Sequence, residues 1–126
     1  MTPAAFRKLA LAQAGASEGS HGGHPDFRAN GKVFASLGFK DGQTGMVNLT
    51  PEQQEMLVGA EPAIFSPIKG AWGLRGYTSV HLPAADATTV KSALAMAAKP
   101  PDAESLSTRR RAMRAMTASL DVRLGV

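Results

Sequence analysis

Cysteine is absent from all 126 residues, which excludes disulfides, a thiol nucleophile and any thiolate-ligated metal site. Aromatic side chains are scarce, with five Phe, one Trp and one Tyr, so a core has to be assembled largely from Leu, Val, Met, Ala and the phenylalanines. Nowhere do roughly 18 consecutive apolar residues occur, so no spanning helix is expected. The first segment, residues 2–14, has Arg7 and Lys8 where a secretory signal needs its apolar run. The expectation is a soluble, cytoplasmic protein. Catalytic signatures are missing as well: there is no defensible Ser-His-Asp spacing, P-loop, Rossmann glycine pattern or carboxylate pair. Neither an enzyme nor a bound cofactor is expected.

The formal charge of +4 looks like a signal for nucleic acid until it is located. Residues 1–98 carry 8 Lys+Arg against 7 Asp+Glu, net +1, whereas residues 99–126 carry 6 against 3, net +3. Most of the basicity therefore belongs to the tail. A phosphate-binding surface on the first part has to come from a local patch and not from its net charge.

The length suits one domain with a tail. Thr2-Pro3 opens a short helix with a Thr cap and Pro at the first helical position, with Phe6, Leu9, Ala10 and Gln13 on one face and Gly15 as the stop. A Gly- and His-rich connection, residues 16–24, leads to two extended runs joined by Asn30-Gly31. That dipeptide predicts a type I′ hairpin, because both central positions need positive φ. Val33, Ala35 and Leu37 are expected on one side of the second run, with Lys32, Phe34 and Ser36 on the other. Asp41-Gly42 marks a further turn, and residues 45–49 a third strand. Thr50-Pro51-Glu52-Gln53 predicts a second helix with a capping box, its inner side being Gln53, Met56, Leu57 and Ala60. Residues 63–66 and 77–82 read as the last two strands. A helix over residues 86–98 buries Val90, Leu94 and Ala97.

Lys99-Pro100-Pro101 is a breaker and the expected boundary between a domain of residues 1–98 and an extension of residues 99–126. Leu106, Met113, Met116, Leu120 and Leu124 recur at helical spacing there, with Arg110, Arg111 and Arg114 opposite. Such an apolar seam is expected to pack on its own domain or to form a homodimer contact.

The stretch from Ile64 to Leu82 organises the rest. It gathers Trp72 and Tyr77 with Lys69, Gly70, Gly73, Arg75 and Gly76, which is a composition suited to a binding loop. A lone Trp in a small core is usually packed, so Trp72 is expected to be a buried anchor fastening this loop to the sheet.

The order of motifs resembles the MmcQ/YjbR family. The matching stretches are His24-Pro25-Asp26-Phe27-Arg28, Gly31-Lys32-Val33-Phe34-Ala35, Leu49-Thr50-Pro51-Glu52-Gln53, Gly70-Ala71-Trp72-Gly73 and Gly76-Tyr77-Thr78, spread over about residues 3–98. The resemblance implies a CyaY-like α+β fold, an antiparallel sheet of about five strands with helices packed on one face. It also implies a non-enzymatic, DNA-binding role.

The cations that would meet the phosphate backbone are Arg28 and Lys32 on the hairpin and Lys69 and Arg75 in the loop, with Trp72 or Tyr77 offering a base-stacking surface. The competing reading is a small-ligand or protein-interaction module with no nucleic-acid role. Metal is a weaker candidate. Glu18, His21, His24, Asp26 and His81 supply N and O ligands, but the spacing His21-x-x-His24 lacks the helical context that fixes a site's geometry.

Overall fold

A computed structural model describes residues 1–38 and 42–99. Helix α1 (Pro3–Leu11) begins as the sequence predicts, with the Thr2 hydroxyl accepting from the Ala5 N–H at 3.1 Å and Pro3 at the first position. It stops a turn before Gly15, at Ala12. The next stretch departs from expectation. Residues 17–21 are not a connection but strand β1 (Ser17–His21), turned by Gly22 and Gly23, both at positive φ, into strand β2 (His24–Ala29). Ser-Glu-Gly-Ser has none of the β-branched or aromatic residues that mark a strand. Its extended state comes from pairing with β2 along its whole length, and a Cβ at Gly19 would stand 2.8 Å from an Asp26 carboxylate oxygen, so a larger residue there would have to shift that side chain.

Asn30 and Gly31 turn β2 into β3 (Lys32–Ser36) with φ of 55° and 78°, as a type I′ turn requires. A bulge then breaks the simple alternation. Phe27 faces Ala35 and Arg28 faces Val33, which leaves Phe34 as an extra residue, and Phe34 and Ala35 are buried in succession. Strand β4 (Thr44–Asn48) follows, then α2 (Pro51–Ala60), whose capping box is complete: the Thr50 hydroxyl accepts from Gln53 N–H, and the Gln53 side chain accepts from Thr50 N–H. The inner side of α2 differs from the expected one. Leu57 is buried and Gln53 and Gln54 are partly covered, while Met56 is 52% exposed.

Strand β5 (Phe65–Pro67) and strand β6 (Tyr77–His81) are joined by the loop that contains α3 (Ala71–Leu74). After a 3₁₀ turn at Leu82–Ala84, Asp86 caps α4 (Ala87–Ala98). The strands form one six-stranded antiparallel sheet in the order β1-β2-β3-β4-β6-β5. The architecture is thus α+β, with six strands in place of about five. Among the described residues no helix is long and apolar enough to cross a membrane.

One face of the sheet carries the helices. Phe6 of α1 packs on Phe27, with ring centroids 6.3 Å apart, and lies over Gly45, where a Cβ would stand 3.2 Å from its ring. Val47, Val80 and Phe65 continue this face, and α4 closes it with Val90, Ala93, Leu94 and Ala97. Burial of these apolar side chains supplies the main driving force for the fold. Residues one step along each strand point the other way. The extension beyond residue 99, with its seam of Leu106, Met113, Met116, Leu120 and Leu124, and the turn residue Asp41 lie outside the described residues.

Candidate functional site

The β5–β6 loop is built on two glycines and one glutamine. At Gly73 a Cβ would stand 1.7 Å from the Ile68 carbonyl oxygen, and at Gly76, held at φ 105°, 1.9 Å from the Leu49 carbonyl oxygen. Both positions are therefore pressed backbone against backbone, where no side chain fits. Gly76 also accepts from the Leu49 N–H at 3.1 Å, and Tyr77 accepts from Ile68 N–H at 3.0 Å, which closes the loop at its base. From α2 the Gln54 side-chain amide nitrogen lies within hydrogen-bond distance of the Gly73 carbonyl (3.0 Å), the Tyr77 carbonyl (3.0 Å) and the Thr78 hydroxyl (3.1 Å), which share its two N–H groups. The Thr78 hydroxyl in turn donates to the Gly76 carbonyl at 2.9 Å. Nothing in the local sequence distinguishes Gln54 from Gln53 beside it, and sequence reasoning missed it.

Trp72 is not the buried anchor that its rarity predicted: it is 56% exposed. The glycines and Gln54 hold the loop through backbone atoms, so the indole is not needed inside. Its ring instead meets Tyr77 edge-on, with centroids 5.1 Å apart and planes at 78°, and the Arg75 guanidinium lies over it, 5.3 Å from the ring centroid. Such edge-on and cation–π contacts fix the orientation of an exposed ring. Lys69 is exposed in the same loop, and Leu74 is 82% exposed. Lys69, Trp72, Arg75 and Tyr77 are thus brought together on one loop and its outgoing strand. The exposure of Leu74 in the same loop was not anticipated, since an isolated Leu in a sequence carries no sign of its exposure.

The hairpin cations fare differently. The Asn30-Gly31 turn and the β5–β6 loop do lie at the same end of the sheet, because Lys32 begins β3 where β4 ends, and Asn48 at that end pairs with Tyr77. Strands β3 and β6 are two strand spacings apart, roughly 10 Å. Arg28 and Lys32 do not form a joint patch, however. Lys32 is paired with Ala29, a core residue on the helix-bearing face, whereas Arg28 projects from the opposite face. Arg28 is also engaged: its Nε and Nη2 donate to the two Asp26 carboxylate oxygens at 2.9 and 3.1 Å. The hydrogen bond and the charge of Asp26 raise the guanidinium's pKa above its ordinary value. Asp26 itself is only 3% exposed, so this partner neutralises a carboxylate inside the fold.

Of the metal candidates, His21 and His24 are register partners across the β1–β2 turn, and the others are committed or distant. Glu18 pairs with Arg7 and Asp26 with Arg28. His81 lies on β6, three strands from His24 on β2. Among the described residues no group of three His, Cys, Asp or Glu is arranged to hold a metal ion.

A comparison with known proteins gives no matching family model, and no curated relative or solved structure matches the chain.

Proposed function

We propose that this chain is a nucleic-acid-binding module of the MmcQ/YjbR type, cytoplasmic and without catalytic activity, which meets DNA through the β5–β6 loop. The observation that carries the reading is the exposed Trp72, oriented by Tyr77 and overlaid by Arg75, with Lys69 exposed beside it. Cations supply the attraction to phosphates, and the aromatic ring adds a contact that phosphates alone do not offer. Lys32 lies two strands away on the helix-bearing face, from which Tyr77 points away, and stays outside this surface, while Arg28 serves the fold by pairing with Asp26. With residues 1–98 at net +1, the binding has to be local, and its affinity modest and strongly dependent on salt.

Fluorescence anisotropy of labelled DNA against salt concentration tests the reading. Each of Lys69→Ala and Arg75→Ala is expected to weaken binding whatever the DNA sequence and to reduce the salt slope by about 1. Absence of binding at low salt removes the proposal. A second reading, a protein-interaction module, is favoured by the same exposed Trp72 and Arg75, residue types enriched at the centres of protein interfaces, with Leu74 exposed in the same loop.

A further inference from the structure

We infer that the nucleic acid accepted by the β5–β6 loop is single-stranded, taken by stacking an unpaired base on Trp72; this rests on the nucleic-acid reading above and adds the strand state to it. In a duplex both faces of every interior base are already stacked on their neighbours. A protein ring can stack on such a base only after it has been extruded, which costs a few kcal/mol. An unpaired base offers its face freely, and any base has one.

Three features suit Trp72 to that task. The residue is 56% exposed, although Arg75 lies over the ring and Tyr77 abuts it. It is also held in place. The Trp72 carbonyl accepts from Arg75 N–H at 3.1 Å, the neighbouring Gly73 is clamped between Gln54 and the Ile68 carbonyl, and the Tyr77 ring abuts the indole. An aromatic already fixed before binding loses little conformational freedom on stacking. Finally, the Arg75 guanidinium over the ring and the exposed Lys69 set positive charge beside the stacking surface, where the phosphates flanking a stacked base would run. Stacking on Trp72 is itself tolerant of sequence, since every base has a face to offer.

Trp72 is the only tryptophan in the chain, so its emission reports the stacking directly. The experiment titrates the full chain at low salt with a labelled non-self-complementary oligonucleotide and, separately, with its duplex, reading anisotropy and tryptophan emission together. The single strand is expected to bind more tightly than the duplex and to quench the emission. Trp72→Ala is expected to weaken the single strand by roughly 5- to 150-fold and the duplex hardly at all, while Trp72→Phe keeps most of the affinity. Circular dichroism and thermal melting establish that both variants are folded. Equal affinity for the two forms with unchanged emission overturns the single-strand assignment and leaves the broader reading standing. Failure of both forms to bind overturns the two together.

Discussion

The side-chain amide of Gln54 lies 3.0 Å from the carbonyl oxygen of Gly73, nineteen residues further along the chain. Through this contact helix α2 sets the position of a loop to which it is joined by no covalent proximity. The same amide reaches Tyr77 and Thr78, so one side chain ties the entry of β6 to the turn that carries Trp72.

Replacing Gln54 by Ala removes these contacts but leaves each partner one other hydrogen bond: the Gly73 carbonyl keeps Gly76 N–H, the Tyr77 carbonyl keeps Ile68 N–H, and the Thr78 hydroxyl keeps the Gly76 carbonyl. The expected cost is about 0.5–1.5 kcal/mol, which for a domain of this size lowers Tm by several degrees. Thermal unfolding followed by circular dichroism checks it. Emission from Trp72 is expected to change in the folded variant as well, because the loop loses its tether.

The glycines separate into those that are required and one that is not. Gly73→Ala and Gly76→Ala each force a Cβ into a carbonyl oxygen, and a loss of at least about 2 kcal/mol is expected from either. Gly59, near the end of α2, has nothing within 4 Å of the corresponding position. Gly59→Ala is expected to raise stability by up to about 1 kcal/mol. Urea denaturation of the three variants gives the order directly.

Arg28 and the loop cations are expected to part company when binding and folding are measured side by side. Arg28→Ala leaves the Asp26 carboxylate without its partner inside the sheet, so the urea midpoint falls while the salt slope for DNA stays as in the parent. Lys69→Ala, on an exposed side chain, shows the reverse pattern. An Arg28 variant that flattened the slope as Lys69→Ala does would return Arg28 to the binding surface.

Asp86 gives the fold a dependence on pH. Hydrogen bonds from Thr89, through its side chain and its backbone N–H, hold the Asp86 carboxyl below its ordinary value of 3.8. A depressed folded pKa means that the stabilisation is complete above the unfolded value and is lost as pH falls through the folded one. Melting of the parent and of Asp86→Ala is therefore expected to differ at neutral pH, and the gap to narrow below pH 3.8.

Much of this fold was legible because some local signals have a single structural meaning. Asn30-Gly31 demanded a tight hairpin, and Thr50-Pro51-Glu52-Gln53 a capped helix; both formed. Strand β1 was not legible, because its residues carry no strand preference and its conformation comes from pairing with β2. The side of α2 that turns inward was misjudged for a related reason. Periodicity favoured Met56, but the three acceptors offered by Gly73, Tyr77 and Thr78 draw Gln54 in, and those acceptors are distant in sequence. Among the site residues, the grouping of Lys69, Trp72, Arg75 and Tyr77 was readable, since they are neighbours along the chain. The exposure of Trp72 and the separation of Arg28 from Lys32 were not, because both depend on which face of the sheet a residue occupies and on what covers it.

The strand order has a consequence for how the molecule is made. Strand β6 is the last of the six to leave the ribosome, yet it sits between β4 and β5. Strands β1 to β4 can pair in the order of their synthesis, each with its predecessor. Until Tyr77–His81 is available, β4 presents an open edge that a neighbouring chain could occupy. The β5–β6 hairpin closes that edge when β6 pairs with β4.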